Sequence, residues 1–314
     1  MVEEAPGEAV APKWRTAGDS VVGATHRRSG IPNQDALLLS AAAPPLPVIA
    51  AVSDGHGSPK CFRSHVGSRI AVGVAALVLR EYLDVAGDAD PSTWIPAEIA
   101  RRWSEAVRLD LMLSPLTAEE LDVVEQKSGP AARRLVESGP LLAYGATVLA
   151  AAVGEKSLVY LQLGDGEILT VSDAGEVRRA LPGDARLFAD ETTSLASPSA
   201  VRDFRLQVVS GEEGIPALVL LTTDGYVNSF RDDEGFLRVG ADILQLIASV
   251  GLDTVAADMT AWLDEATRLG SGDDVTLAVI CREDAVRRPD AVATGVPGAA
   301  PSATATQADG EPDE

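Results

Sequence analysis

Residues 46–57, LPVIAAVSDGHG, set the frame for everything else in the chain. An apolar, β-branched run entered through Pro44 and Pro45 has the composition and length of a buried strand. It stops at Asp54, Gly55, His56 and Gly57, gathering a carboxylate, a residue free to turn the backbone and an imidazole at one strand end. Asp-Gly after a strand is most often a hairpin turn. The next residues argue against a hairpin, because Ser58 and Pro59 carry the N-cap and first-turn signature of a helix whose pattern runs to about Asp84. A strand-to-helix corner bearing Asp and His is a candidate site at the lip of a sheet.

With 314 residues and 46% hydrophobic content, the chain has enough apolar material for one domain of about 250 to 270 residues with tails. Its net charge of -21, from 26 basic and 47 acidic residues, and the lack of a dense basic cluster exclude a nucleic-acid partner. The N-terminal MVEEAPGEAV is acidic, and the longest apolar helical stretch, Val74 to Leu79, falls far short of the ~20 residues a membrane span needs. These features read as a soluble cytoplasmic protein without a membrane partner. Cys61 and Cys281 do not make a disulfide framework.

Residues 1–13 read as a disordered lead, followed by a strand from Trp14 towards Gly23. His26, Arg27 and Arg28 read as a loop before a turn at Gly30 to Pro32, since charge runs are usually solvated. Asp35 then stands at the mouth of a strand, Ala36 to Leu39, where its desolvation would be relieved by a cation. Phe62, Val66, Ile70, Val74 and Leu77 predict one amphipathic helix, and Ile95, Ile99, Trp103, Val107 and Leu111 a second. Residues 113–140 are charged and carry no clear pattern. From Leu142 strands dominate: 148–153, 157–163 and 168–171, with Gly164-Asp165-Gly166 between the last two reading as a hairpin turn. Residues 172–216 read as loop, 217–221 as a strand ending at Asp224-Gly225, and 241–269 as helical. Asp273 and Asp274 open the last strand, 275–280, and residues 284–314 form an acidic tail that reads as disordered.

Asp54 and Asp224 thus end strands, Asp165 turns between two, and Asp35 and Asp273 begin others. In antiparallel sheets the end of one strand lies beside the start of its neighbour, so these acids converge on one edge. Five carboxylates there repel one another unless cations sit between them. All-oxygen ligation suits Mg²⁺ or Mn²⁺ rather than zinc. Two such ions about 3.5 to 4 Å apart would turn a bridging water into a hydroxide nucleophile and clamp a phosphoryl group.

The ordered set NQD, SDGHG, GAT, GDG, TDG and GDDVT, spread from about Ala24 to Ile280, resembles the PPM or PP2C family of metal-dependent serine/threonine protein phosphatases in its bacterial form. The resemblance implies an α+β fold, a four-layer α-β-β-α sandwich of two antiparallel sheets flanked by helices, over residues 14–283. It implies a binuclear Mn²⁺ or Mg²⁺ centre with a weaker third ion, and phosphorylated proteins, substrates of a Ser/Thr kinase, as partners. By the same resemblance Asp54 bridges two metals, Gly55 lends its carbonyl, and Asp224 and Asp273 complete the ligands of one ion. Asp35 acts through metal-bound water, His56 is the general acid, Asp165 belongs to the third metal, and residues 173–210 form the flap.

Three departures stand out. Asn228 replaces a further third-metal aspartate, Asp274 replaces an asparagine after the last ligand, and the phosphate-gripping arginine would fall on Gly30. Arg28 or Arg27 from the preceding loop, or His26, is then expected to hold the substrate phosphate. The missing arginine also keeps open a phosphoprotein-binding module without turnover. An interaction scaffold relying on the acidic surface is a further alternative.

Overall fold

The computed structural model describes residues 13–40, 47–85, 90–182, 193–210 and 214–286. Along it, β1 (Trp14–Val21), α1 (Ala24–Ser29), β2 (Ala36–Leu39) and β3 (Val48–Ser53) precede three long helices, α2 (Ser64–Val85), α3 (Pro91–Leu113) and α4 (Ala118–Ser138). Strands β4 (Val148–Val153), β5 (Ser157–Leu163), β6 (Glu167–Val171) and β7 (Val177–Arg179) follow, then α5 (Ala200–Asp203), β8 (Arg205–Ser210) and β9 (Leu218–Thr222). The order closes with α6 (Asp224–Val227), α7 (Asp233–Val250), α8 (Leu252–Leu269), β10 (Val275–Arg282) and α9 (Glu283–Val286).

The strands form two five-stranded sheets, ordered β1-β10-β9-β6-β7 and β2-β3-β4-β5-β8. Every pairing in them is antiparallel. Strands β3, β4, β9 and β10 are buried along their whole length, so both of their faces are covered. One face meets the other sheet: Val52 and Leu149 of one share a core with Val219 and Ile280 of the other. The outer faces meet helices. Ile99, Trp103 and Val107 of α3, together with α2, cover one sheet, and Ile243 of α7 and Met259 and Leu263 of α8 cover the other. The result is the expected α-β-β-α sandwich.

Several local expectations are corrected. The segment holding His26, Arg27 and Arg28 is a short helix, α1, stopped by Gly30 in the left-handed region at φ 68. The helix after Asp54 begins as a 3₁₀ turn, Pro59–Cys61, capped by Ser58 and continued by α2. On α2 the deeply buried face is Ala71, Val72, Ala75, Val78 and Leu79, whereas Leu77 is 49% exposed. Residues 118–138 form α4, capped by a Thr117–Glu120 box and bent where Gly129 takes φ 83 ahead of Pro130. The helical region near the C-terminus starts earlier than expected and is two helices, parted at Gly251 with φ 86. Residues read as loop hold β7, α5 and the edge strand β8.

The Gly164-Asp165-Gly166 turn is not a hairpin: β5 pairs with β4 and β8, while β6 pairs with β9 and β7, so the turn carries the chain from one sheet to the other. Of the expected flap, residues 183–192 lie outside the described residues, as do 1–12 and 287–314 of the lead and tail. Among the described residues no helix is long and apolar enough to cross a membrane, and Cys61 and Cys281 are buried and free.

Candidate metal centre

The two sheets deliver their acids to one end. From the helix-α2 sheet come Asp35, just before β2, and Asp54, just after β3, brought side by side because Ala36 pairs with Ser53. From the opposite sheet come Asp224, just after β9, and Asp273, two residues before β10, through the pairing of those strands. Asp165 enters on the crossover between sheets. One carboxylate oxygen from each of Asp54, Asp165 and Asp224 lies within 4.8 Å of the other two. Asp273 belongs to a second such group with His26 and Asp274.

Buried polar side chains and close backbone packing pin the segments that carry the acids. The Asp54 amide donates to Thr147 Oγ1 at 2.9 Å and the Thr147 amide returns a bond to the Asp54 carbonyl at 2.8 Å. Thr147 also abuts Gly164, where a Cβ would approach it to 2.5 Å, so one threonine spaces the Asp54 corner from the Asp165 turn. The buried Gln162 amide donates to the carbonyls of Gly164 and Gly166 at 3.1 and 2.6 Å, closing that turn around Asp165. Gly225 packs so closely on the Asp274 carbonyl that a Cβ would stand 2.0 Å from it, which explains the glycine after Asp224. Asp35 Oδ2 accepts from Thr223 Oγ1 at 2.7 Å and Thr276 Oγ1 at 2.6 Å.

The electrostatics are those of an anion cluster in want of cations. Burial first, then hydroxyl hydrogen bonds that oppose it and neighbouring carboxylates that reinforce it, push Asp35 up to about 8. Burial followed by repulsion from Asp165 and Asp273 raises Asp224 to about 7. Asp54 is raised well above the usual carboxylate range, by burial and then by Asp35, Asp224, Asp165 and Asp273 in turn. Asp35 Oδ1 and Asp165 Oδ1 are buried without a hydrogen-bond partner. Buried oxygens of this kind call for a ligand, and the all-carboxylate donor set fits a hard divalent cation.

Asp35 and Asp224 hold their protons in the fold at pH values where the unfolded chain has released them, so between about pH 4 and 8 the native state binds more protons. In EDTA the melting temperature should therefore fall as pH rises through that range, and added Mn²⁺ should remove most of the slope by favouring the ionised acids. A melting temperature that climbs with pH in EDTA would contradict the anion-cluster description.

The sequence profile of the family described as protein phosphatase 2C matches residues 22–264. The chain belongs to that family. With it comes membership of the PP2C-type serine/threonine protein phosphatases, which are hydrolases acting on phosphoproteins. No curated protein matches the sequence closely enough to count as a relative. Among solved structures, a bacterial serine phosphatase superposes with a TM-score of 0.54 at 16% identity, covering 86% of this chain and 98% of that one. The catalytic domain of the serine/threonine phosphatase PstP, in complex with two manganese ions, gives 0.52 at 17% identity over 86% and 98%. PstP/Ppp of Mycobacterium tuberculosis gives 0.50 at 17% over 86% and 99%. At such identities the likeness is one of fold.

The remaining candidate residues of the phosphatase divide. His56 lies on the Asp54 corner, its amide donating to the Gly145 carbonyl at 3.1 Å. Burial lowers its imidazole below the ordinary value, with Asp165 acting in the other direction. His26 is turned inwards, Nδ1 3.0 Å from Asp274 Oδ2 and Nε2 4.0 Å from Asp273 Oδ1. Arg27 pairs with Asp264 on α8, away from the acid cluster, and Arg28 is exposed and donates to Thr25 Oγ1 on its own helix at 3.1 Å. Thr147, Thr223 and Thr276 sit in motifs that stand out for their glycines and acids, and nothing in the sequence marks their hydroxyls as buried. Gln162, a lone polar residue in the apolar run of β5, is the signal that could have marked the Asp165 turn.

Proposed function

We propose that the phosphatase hydrolyses phosphoserine and phosphothreonine in proteins at a centre for two divalent cations, Mn²⁺ or Mg²⁺. Asp54 is proposed as the shared ligand, with the Gly55 carbonyl, Asp224 and Asp273 as further donors, Asp35 acting through water, and Asp165 serving a weaker third ion. The observation that carries this reading is the convergence of Asp54, Asp165 and Asp224 within 4.8 Å, beside Asp35. Once bound, the cations supply an ionised water as nucleophile and neutralise the phosphoryl oxygens. The chain's own residues hold that geometry: Thr223 and Thr276 fix Asp35 with one oxygen left over, and Thr147 fixes the Asp54 corner. His56 is proposed to give its proton to the departing serine or threonine oxygen. Phosphate release from a phosphoserine peptide that requires Mn²⁺ or Mg²⁺ and stops in EDTA tests the reading, and turnover in excess EDTA would sink it.

For the phosphate anchor, Arg28 is the proposed residue, since a guanidinium can place two parallel hydrogen bonds on a phosphoryl oxygen and, among the described residues, this one is tied only to a hydroxyl. Arg27 is engaged by Asp264. Arg28→Ala is expected to raise KM for phosphopeptides several-fold with Mn²⁺ affinity unchanged, and Arg27→Ala to do little. If Arg28→Ala is silent and His26→Ala alone weakens substrate binding, the anchor is the imidazole beside Asp273. One observation favours the alternative of a binding module: Gly30, exposed at the end of α1, brings no cation to the site. Hydrolysis of p-nitrophenyl phosphate with Mn²⁺ separates the two.

A further inference from the structure

Asp274 is an extra acid at the site, 3% exposed, next to Asp273. Both of its carboxylate oxygens are occupied by backbone amides. Oδ1 accepts from Gly23 N and Oδ2 from Gln34 N, each at 2.6 Å. Gly23 joins β1 to α1, and its Cα lies so close to the Asp273–Asp274 peptide that a Cβ would stand 2.4 Å from the Asp273 carbonyl carbon. Gln34 immediately precedes Asp35. It is tied to α2 twice, through Nε2 to Ser64 Oγ at 2.7 Å and through its carbonyl, which accepts from Ser68 Oγ at 2.6 Å. The same carbonyl is the atom that a Cβ on Gly55 would strike at 2.6 Å. A single side chain on the β10 sheet therefore fixes the backbone that carries Asp35 and supports Gly55 on the other sheet.

We infer that Asp274 is a positioning residue, a two-amide clamp that locks Asp35 and the Asp54-Gly55 corner in register with Asp273 across the two sheets. A carboxylate fits this place better than an asparagine, which has one side-chain acceptor oxygen and would turn an NH₂ towards the second amide. A buried amide left facing a donor loses its hydrogen bond and its hydration together. The neighbouring His26 imidazole lies against the clamp without hydrogen-bond geometry at Nδ1. Groups that orient metal ligands without touching the ion contribute roughly 10- to 100-fold to metal affinity.

The consequence for metal binding rests on the proposed function; the clamp itself does not, so its test has two arms. In the first, hydrogen exchange is compared on the metal-free chain. Asp274→Asn should speed exchange at Gln34, Asp35 and Gly55 at least tenfold while amides of β4 and β5 away from the site keep their rates. Unchanged exchange at those three positions would overturn the clamp, whether or not the chain binds metal. In the second, Mn²⁺ binding is followed by electron paramagnetic resonance. Asp274→Asn should weaken it about 10- to 100-fold, and His26→Ala should leave it within threefold. Equal losses in the two variants would mean that His26 and Asp274 themselves ligate an ion, overturning the clamp. If Asp274→Asn fails to fold, the exchange of the wild-type Gly23 and Gln34 amides decides: rates near those of exposed amides overturn the proposal, and strong protection of both supports it. A wild-type chain that binds no Mn²⁺ would remove the proposed function and leave the exchange result to judge the clamp.

Discussion

Asp54→Ala is expected to bind neither divalent cation measurably, to lose at least about 10³-fold in turnover, and yet to be more stable than the wild type in EDTA at pH 8. The loss follows from position. Asp35, Asp165, Asp224 and Asp273 all act electrostatically on Asp54. Removing the proposed shared ligand leaves each cation short of a charge, and several kcal/mol of transition-state stabilisation corresponds to about 10³ in rate. The stability gain follows from the same crowding. Without cations, a half-buried carboxylate among four others is held against desolvation and repulsion, and an alanine feels neither. The backbone is kept in place by the two bonds to Thr147, so the variant should fold. Opposite signs for stability and activity distinguish this outcome from simple unfolding. Thermal melts with EDTA and with Mn²⁺ check it, and an Asp54→Ala chain that Mn²⁺ stabilises as it does the wild type would refute the shared-ligand role.

How far these features are legible in the sequence depends on what each residue faces. Strands β3, β4, β9 and β10 are covered on both sides and so are continuously apolar, which a window of sequence displays directly. Edge strand β8, RLQVVS, is exposed or half-exposed throughout, and its pairing with β5 is set by partners about 50 residues away. Nothing local marks it. The division of α7 from α8 rests on one glycine at φ 86, in a stretch whose apolar spacing continues across it. On α2 the small residues Ala71 and Ala75 take the deepest positions, while Phe62, Val66, Ile70 and Val74 of the bulkier stripe pack part-buried against the same core and only its last member, Leu77, turns to solvent.

The acids at strand ends are readable because a carboxylate beside a buried run needs a reason. That they come from two different sheets is not. Reading Asp165 as a hairpin turn assumes that β5 and β6 pair, and a three-residue connection looks the same whether the next strand joins the same sheet or the facing one. The basic run at 26–28 reads as a loop because its apolar neighbours are few. Its helical state is fixed from outside, by the Ala24 amide donating to Thr267 Oγ1 and the Thr25 amide to the Gly272 carbonyl.

His56→Ala should lower kcat on phosphoserine peptides by about 10² to 10⁴ and on p-nitrophenyl phosphate by far less. A serine alkoxide needs a proton as it leaves, whereas a nitrophenolate is stable enough to leave without one, so only the first substrate reports a missing acid. The imidazole is held in place by its surroundings. Its backbone donates to the Gly145 carbonyl, and its ring packs so near Gly145 that a Cβ there would lie 2.9 Å from Cδ2. Burial shifts it below its ordinary 6.5, because the charged ring loses hydration that Asp165 only partly replaces. The proton-donating form is therefore present below that lowered value and is lost as pH rises through it. For the wild type, kcat on phosphoserine should fall with rising pH across a range beginning below 6.5, while kcat on p-nitrophenyl phosphate stays nearly flat there. In His56→Ala the two profiles should become parallel. Equal losses on both substrates, or a phosphoserine profile that His56→Ala leaves unchanged in shape, would assign the proton to another group.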